Sequence, residues 1–156
     1  MAKTKKKFPG SLIKNRIAFH SYEILDTYEA GIELQGTEVK SCRAGKIVLQ
    51  DAFAKVENGE VILMNAHIAE YDHGNRFNHK PKRQRRLLLH KYEIRKLTVM
   101  TREKGLSLVP LGFHLKNGKI KVGLGVGRGK TSYDKRETLK KKQDNMDAKR
   151  ALSKFK

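Results

Sequence analysis

The chain has 156 residues, 38% of them hydrophobic, and 35 Lys+Arg against 16 Asp+Glu give a formal net charge of +19. That is material for one domain with a modest core and far more positive charge than solubility needs, so a polyanionic partner is implied, nucleic acid first. No run approaches the ~18 apolar residues of a membrane span, the charged N-terminus leads into no apolar signal core, and a single cysteine excludes an internal disulfide framework, so a protein of the reducing cytoplasm is expected.

Met1 to Lys14 holds Lys3, Lys5, Lys6, Lys7 and Lys14 around Pro9-Gly10 and reads as a flexible basic arm, either solvated or in contact with nucleic acid. Asn15 to Leu34 begins the fold. Tyr22, Ile24, Asp26 and Tyr28 alternate with Glu23, Leu25, Thr27 and Glu29, and apolar groups fall on both faces, so a long curved strand is expected, with a bulge or bend at Gly31. A short helix follows, capped by Thr37, with Val39 and Cys42 on its inner side and a stop at Gly45. Lys40 and Arg43 share a different face, with Lys46 close behind.

Ala52–Glu57 and Glu60–Met64 flank Asn58-Gly59, a hairpin signal because both turn positions need positive φ. His67–Tyr71 continues the second strand or forms an edge. Asp72–Arg86 reads as a mobile loop ending in a basic cluster. From Leu87 the pattern turns helical: Leu87, Ile94 and Leu97 share a face, Gly105 is the stop, and crowding at Thr98–Val99 favours a break. Tyr92, Val99 and Met100 fall off that stripe.

Leu106–Leu115 and Lys119–Arg128 form a second hairpin around Asn117-Gly118. In its second strand Ile120, Val122, Leu124 and Val126 point one way. Lys119, Lys121, Gly123, Gly125, Gly127 and Gly129 point the other. A bare glycine face needs a reason: either another backbone, protein or RNA, comes close, or the strand turns a tight barrel corner. From Lys130 to Lys156 the segment is basic, with only scattered Leu139, Met146, Leu152 and Phe155. It is expected to be disordered when free and to fold on a partner.

The patterns of catalysis fail. Gly127-Arg128-Gly129-Lys130-Thr131 ends like a P-loop, but the glycine required five residues earlier is Leu124; the dinucleotide pattern counted from Gly123 or Gly125 lands on Arg128 or Lys130. His67, His73 and His79 match no zinc spacing and read as polar loop histidines. Cys42 reads as core. Glu29, Glu33 and Glu38 have no evident partner and read as surface acids. No enzyme, metal or cofactor is expected. The pattern as a whole is mainly β with flanking helices, and a closed antiparallel barrel of the oligonucleotide-binding (OB) type is one such fold.

Ordered motifs add to this. Asn15-Arg16, His20, Tyr22, Tyr28-Glu29-Ala30-Gly31, Gly36-Thr37-Glu38-Val39-Lys40-Ser41 and Arg43-Ala44-Gly45-Lys46 come first. Arg86-Leu87-Leu88-Leu89, Val109-Pro110-Leu111, Lys121-Val122, Gly123 to Gly129 and Asp134-Lys135-Arg136 follow. The set resembles the SsrA-binding protein (small protein B, SmpB) family from Asn15 to Arg136, with a basic tail of the family type beyond. The resemblance implies an OB-type barrel at 15–129, an arm at 1–14 and a tail at 130–156. It implies a bacterial RNA-binding adaptor that binds the tRNA-like domain of transfer-messenger RNA (tmRNA), with elongation factor Tu in the complex. This adaptor delivers the RNA to stalled ribosomes for trans-translation and peptide tagging, its tail entering the message channel past the small-subunit decoding site.

Family RNA-binding positions match Glu29, Leu88 and Lys121, and Arg16, His20, Tyr22, Arg86 and His90 are counted with them. Lys40, Arg43 and Lys46 are phosphate contacts by charge and placement. Gly129, Lys130, Tyr133, Asp134, Lys135 and Arg136 match the ribosome-acting motif. Two residues depart from it: Tyr133 stands where the family usually has histidine, and Thr131 where it often has a second lysine. Tyrosine stacks but cannot carry an imidazolium's charge. The competing readings are a structural ribosomal or rRNA-binding protein, which would share the charge, and an RNA-processing enzyme, against which the missing metal or nucleophile constellation argues.

Overall fold

The computed structural model describes residues 10–74 and 77–153, with backbone alone at 132–135, 138 and 153. Its strands are β1 (Ser11–Lys14), β2 (Tyr22–Ile32), β3 (Ile47–Val48), β4 (Phe53–Glu57), β5 (Glu60–Met64), β6 (His67–Ile68), β7 (Arg85–Leu88), β8 (Ser107–Lys116) and β9 (Lys119–Gly129). Its helices are α1 (Arg16–Ser21), α2 (Gly36–Arg43), α3 (Lys91–Arg102) and α4 (Ser132–Ser153). The main sheet runs β1-β8-β4-β5-β7-β2-β9, and β9 also pairs with β8. Six strands, β8-β4-β5-β7-β2-β9, therefore form a closed ring of antiparallel pairings, with β1 added outside β8 and β3 paired with β6 apart.

The ring encloses Ala30, Val61, Leu63, Leu87, Leu108, Phe113, Val122, Leu124 and Val126, all buried. Leu97 of α3 and Cys42 of α2 join this core. A second cluster, Ala18, Val109 and Leu111 with Phe19, Tyr22 and Ile24 against it, seats α1 on the sheet. Both Asn-Gly hairpins form: Asn58, Gly59, Asn117 and Gly118 have φ of 51°, 74°, 52° and 75°.

Local chemistry moves several expected boundaries. The ordered fold begins inside the expected arm, because Ser11–Lys14 pairs with β8, while residues 1–9 lie outside the described residues. Residues 16–21 are helical, not strand. The Asn15 side chain accepts from Ala18 N at 3.4 Å and donates to Pro110 O at 2.8 Å, so it caps α1 and fastens it to β8. The bulge in β2 falls at Leu25, between Ile24 and Asp26, whereas Gly31 keeps regular pairing.

The cap of α2 is Gln35: its N–H donates to Glu38 at 2.9 Å, while Thr37 bonds His79. Gly45, at φ 74°, ends that helix as expected. Its N–H meets Cys42 O at 2.9 Å, and Lys46 N meets Ser41 O at 3.0 Å. Leu87 belongs to β7, not to a helix. Helix α3 starts four residues later and runs unbroken through Thr98–Val99, where Thr98 Oγ1 donates to Ile94 O at 2.7 Å.

The bare face of β9 serves the protein itself. A Cβ on Gly127 would lie 2.3 Å from Glu23 O, and one on Gly125 would lie 2.9 Å from the Leu111 side chain. Register shifts stand beside both, at Leu25 and Leu111. The strand coils sharply there, and only glycine admits its neighbours. Within the tail, Ser132–Ser153 forms one helix, α4. Its sequence draws on Lys, Arg, Ala and Leu, all good helix formers.

Candidate nucleic-acid interface

Leu88, Gly31 and Lys121 are direct neighbours on three adjacent strands: Gly31 pairs with Leu88 of β7 on one side and with Lys121 of β9 on the other. Their sequence neighbours Leu87, Ala30 and Val122 are buried in the ring, so this row faces outward. Glu29, two residues before Gly31, shares the face. Leu88 is 47% exposed, and a Cβ on Gly31 would stand 3.1 Å from Leu88 Cβ. The missing side chain lets the leucine lie across β2. An exposed apolar surface beside an ammonium suits an unstacked base and its phosphate.

Glu29 is the acid of this face. Its carboxylate takes a hydrogen bond from Lys116 Nζ at 3.1 Å and one from the Nε2–H of His114, buried on β8, at 3.2 Å. Burial pushes the Glu29 carboxyl up, but the bonds from Lys116 and His114 outweigh it and hold the group below its ordinary value. The carboxylate is therefore ionised at neutral pH. Each oxygen keeps a lone pair for an outside donor.

Lys40, Arg43 and Lys46 are exposed along and just past α2. Lys40 Nζ sits 5.1 Å from the centre of the Tyr71 ring, Arg43 donates to Gly118 O at 3.3 Å, and Lys46 pairs with Asp72 at 3.5 Å. Cations in the last turn also suit the helix dipole. Arg86 is no lone cation: Glu33 and Glu60 both hold its guanidinium.

None of the three acids read as partnerless surface groups is without a partner. Glu33 pairs with Arg86, Glu29 with His114 and Lys116, and Glu38 has no exposed surface at all. Glu38 takes hydrogen bonds from Arg83 and from the fully buried Arg85. Burial pushes this carboxyl up, and Arg83, the Gln35 N–H and Arg85 bring it below its ordinary value. His79 is likewise buried, not a free loop histidine. Its Nε2–H donates to Ile68 O at 2.9 Å, so in the neutral ring Nδ1 accepts from the Thr37 hydroxyl at 2.8 Å.

Arg16, His20 and Tyr22 are not part of this face. Tyr22 pairs with Gly129 at the far end of β2, up to about 30 Å from Gly31 at strand spacing. They sit instead at the root of the tail, where Lys130 N donates to Ser21 O at 2.8 Å and its Nζ to Phe19 O at 3.4 Å. Arg136 is exposed on α4, and nothing lies within 4 Å of a Cβ on Gly129. The side chains of Tyr133, Asp134 and Lys135 lie outside the described residues. His90 precedes α3 and stacks on Tyr92, ring centres 5.5 Å apart.

The model of the family described as "SmpB protein" matches residues 12–154. The chain belongs to the SmpB family. Similar proteins include the SsrA-binding proteins of Staphylococcus carnosus (strain TM300), 57% identical over 152 residues with 97% of each chain covered, and of Staphylococcus aureus (strain JH1), 59% identical over 148 residues with 95% of this chain and 96% of that one. That of Latilactobacillus sakei subsp. sakei (strain 23K) is 54% identical over 155 residues, covering 99% of each. A chain of the solved structure described as "tmRNA-SmpB: a journey to the center of the bacterial ribosome" is 52% identical. It superposes with a TM-score of 0.65 over 77% of this chain and 85% of its own.

Within this SmpB-family chain, sequence reasoning missed Glu38, Arg83, Arg85, His114 and Tyr92. Tyr92 carried a signal, since an aromatic off the apolar stripe of α3 is exposed, here at 58%. Cys42 is buried, and burial pushes its thiol up to about 12, so it is no nucleophile. Among the described residues no three His, Cys, Asp or Glu side chains gather as a metal site, and no helix is long and apolar enough to cross a membrane.

Proposed function

We propose that this chain is the RNA-binding adaptor of trans-translation: it binds the tRNA-like domain of tmRNA on the outward face of β7, β2 and β9 with α2 beside it, and carries that RNA to stalled ribosomes. The observation that carries the reading is the convergence of Glu29, Leu88 and Lys121, 59 and 92 positions apart from the first of them in sequence, onto one face. Leu88 packs against a base, Lys121 meets a phosphate and ionised Glu29 accepts from a base edge or a 2′-hydroxyl. The ring of strands is read as an OB-type barrel spanning 15–129. No covalent step is needed from the protein.

The tail is assigned to the ribosome. Every described side chain of α4 from Arg136 on is exposed, so among those residues the helix presents no buried face. A message channel lined by RNA phosphates would neutralise its lysines and consolidate it. Lys130 fixes where this helix leaves the body, beside Arg16 and His20. Elongation factor Tu as a further partner and a cytoplasmic location belong to the same reading.

The test is sequencing of RNA retained on the purified protein. Enrichment of tmRNA supports the adaptor, with retention reduced by Lys121→Ala and by Gly31→Ala, which crowds Leu88. Retention of ribosomal RNA without tmRNA would point to a structural ribosomal protein instead.

A further inference from the structure

Glu38 is the third residue of α2, the helix that carries Lys40 and Arg43, and it reaches no solvent. Its Oε1 accepts from Gln35 N, at 2.9 Å, and from Arg83; its Oε2 accepts from Arg85 Nε. Arg85 is fully buried, and each of its three nitrogens has one acceptor. Nη1 donates to Ala66 O at 2.8 Å and Nη2 to Pro81 O at 3.0 Å. Arg83 adds a bond to Glu33 O at 3.2 Å, at the end of β2. One carboxylate thus joins the start of α2 to β7 and, through the two arginines, to the β5–β6 link, to the loop before β7 and to the exit of β2.

A buried ion pair is a poor source of net stability, since apolar residues of similar volume do as well or better. What the arginine fork adds is direction, because three donors with fixed angles and three fixed acceptors admit one orientation. Arg85 lies three residues before Leu88 on β7. The same node therefore sets the cations of α2 at a fixed place beside the row of Leu88, Gly31 and Lys121. Binding constellations tolerate only about 0.5 Å of play in such support.

We propose that Glu38 is a positioning residue for RNA binding: paired with Arg85, it holds α2 against β7 so that Lys40, Arg43 and Lys46 meet the same RNA as Leu88 and Lys121. The inference rests on the tmRNA-binding reading above. Glu38 never touches the RNA; it acts through where the cations stand.

The experiment is a cycle of binding titrations against the tRNA-like RNA fragment over a range of salt, with folding followed by circular dichroism. In the wild type, Lys40→Gln/Arg43→Gln/Lys46→Gln removes phosphate contacts, and the slope of log K against log salt becomes shallower by about 0.7–0.9 for each. Glu38→Gln keeps the shape but leaves Arg85 uncompensated. It is expected to stay folded, to lose about tenfold in affinity and to show a similarly shallow slope. Adding the triple substitution to Glu38→Gln then costs almost nothing more. Glu38→Leu/Arg85→Met, which replaces the pair by packing, regains fold stability but not the slope.

A wild-type slope in Glu38→Gln, or a full further loss from the triple substitution in that background, overturns the positioning role while leaving the α2 contacts standing. If the triple substitution leaves the wild-type slope unchanged, α2 makes no phosphate contacts and the inference fails, while the tmRNA-binding reading, which is carried by Glu29, Leu88 and Lys121, is decided by the retained RNA. Should Glu38→Gln not fold, Glu38→Leu/Arg85→Met, which removes the same pair without leaving a buried charge, enters the same cycle and is held to the same outcomes.

Discussion

The Nε2–H of His114 on β8 reaches the Glu29 carboxylate on β2 at 3.2 Å, although β9 lies between the two strands. The crossing is open because Glu29 pairs directly with Gly123, which has no side chain. A glycine that weakens the strand thus lets an acid and an imidazole meet over its backbone, with Lys116 closing the group. The bond keeps the carboxylate ionised and aimed beside Lys121.

Glu29→Gln should lower stability by about 1 kcal/mol at neutral pH, the range of a partly exposed charged hydrogen bond. The sign with pH follows from the direction of the shift. A carboxyl whose folded-state value lies below its ordinary 4.5 contributes stability that is complete above that ordinary value and is lost as pH falls through the folded one. Urea melts of wild type and variant should therefore differ at pH 7 and at pH 5.5 and converge in stronger acid. A gap that persists unchanged at pH 2 would mean that the pairing is not what Glu29 contributes.

Gly127 and Gly129 should behave in opposite ways despite sharing a face. A Cβ at Gly127 meets the Glu23 carbonyl oxygen at 2.3 Å, and that oxygen belongs to backbone, which cannot swing aside. Gly127→Ala should cost about 1–3 kcal/mol. Gly129→Ala meets nothing within 4 Å and should change stability by less than about 0.5 kcal/mol. Thermal melts of the two variants decide this; equal costs would mean that β9 does not coil tightly beside Leu25.

The hairpins were legible because Asn-Gly fixes a turn through φ alone, a property of two adjacent residues. The helix stop at Gly45 was legible for the same reason. Misread boundaries involve longer-range partners. Asn15 starts a helix because Pro110 and Leu111 wait for it across the sheet, and Leu87 is a strand residue because β2 and β5 flank it. The candidate face was reached through motif order, which named Glu29, Leu88 and Lys121 but not what holds them. Glu38, Arg83 and Arg85 looked like ordinary charges because a buried ion pair leaves no periodic trace in sequence. Each partner stands 45 or 47 positions away.

The division between body and tail gives the last prediction. A chain ending at Thr131 keeps the Lys130 anchor to Phe19 and Ser21 and every residue of the β2–β7–β9 face. Its affinity for the tRNA-like RNA should stay within about twofold of the full chain. Peptide tagging on stalled ribosomes should vanish, since the exposed helix is the part assigned to the channel. A peptide of residues 132–156 should show low helicity in water by circular dichroism, because helices in proteins draw most of their stability from packing and the described side chains of α4 are all exposed, and should gain helicity when a polyanion is added. Loss of RNA affinity equal to the loss of tagging would place part of the tmRNA contact on α4 and move the functional boundary back into the tail.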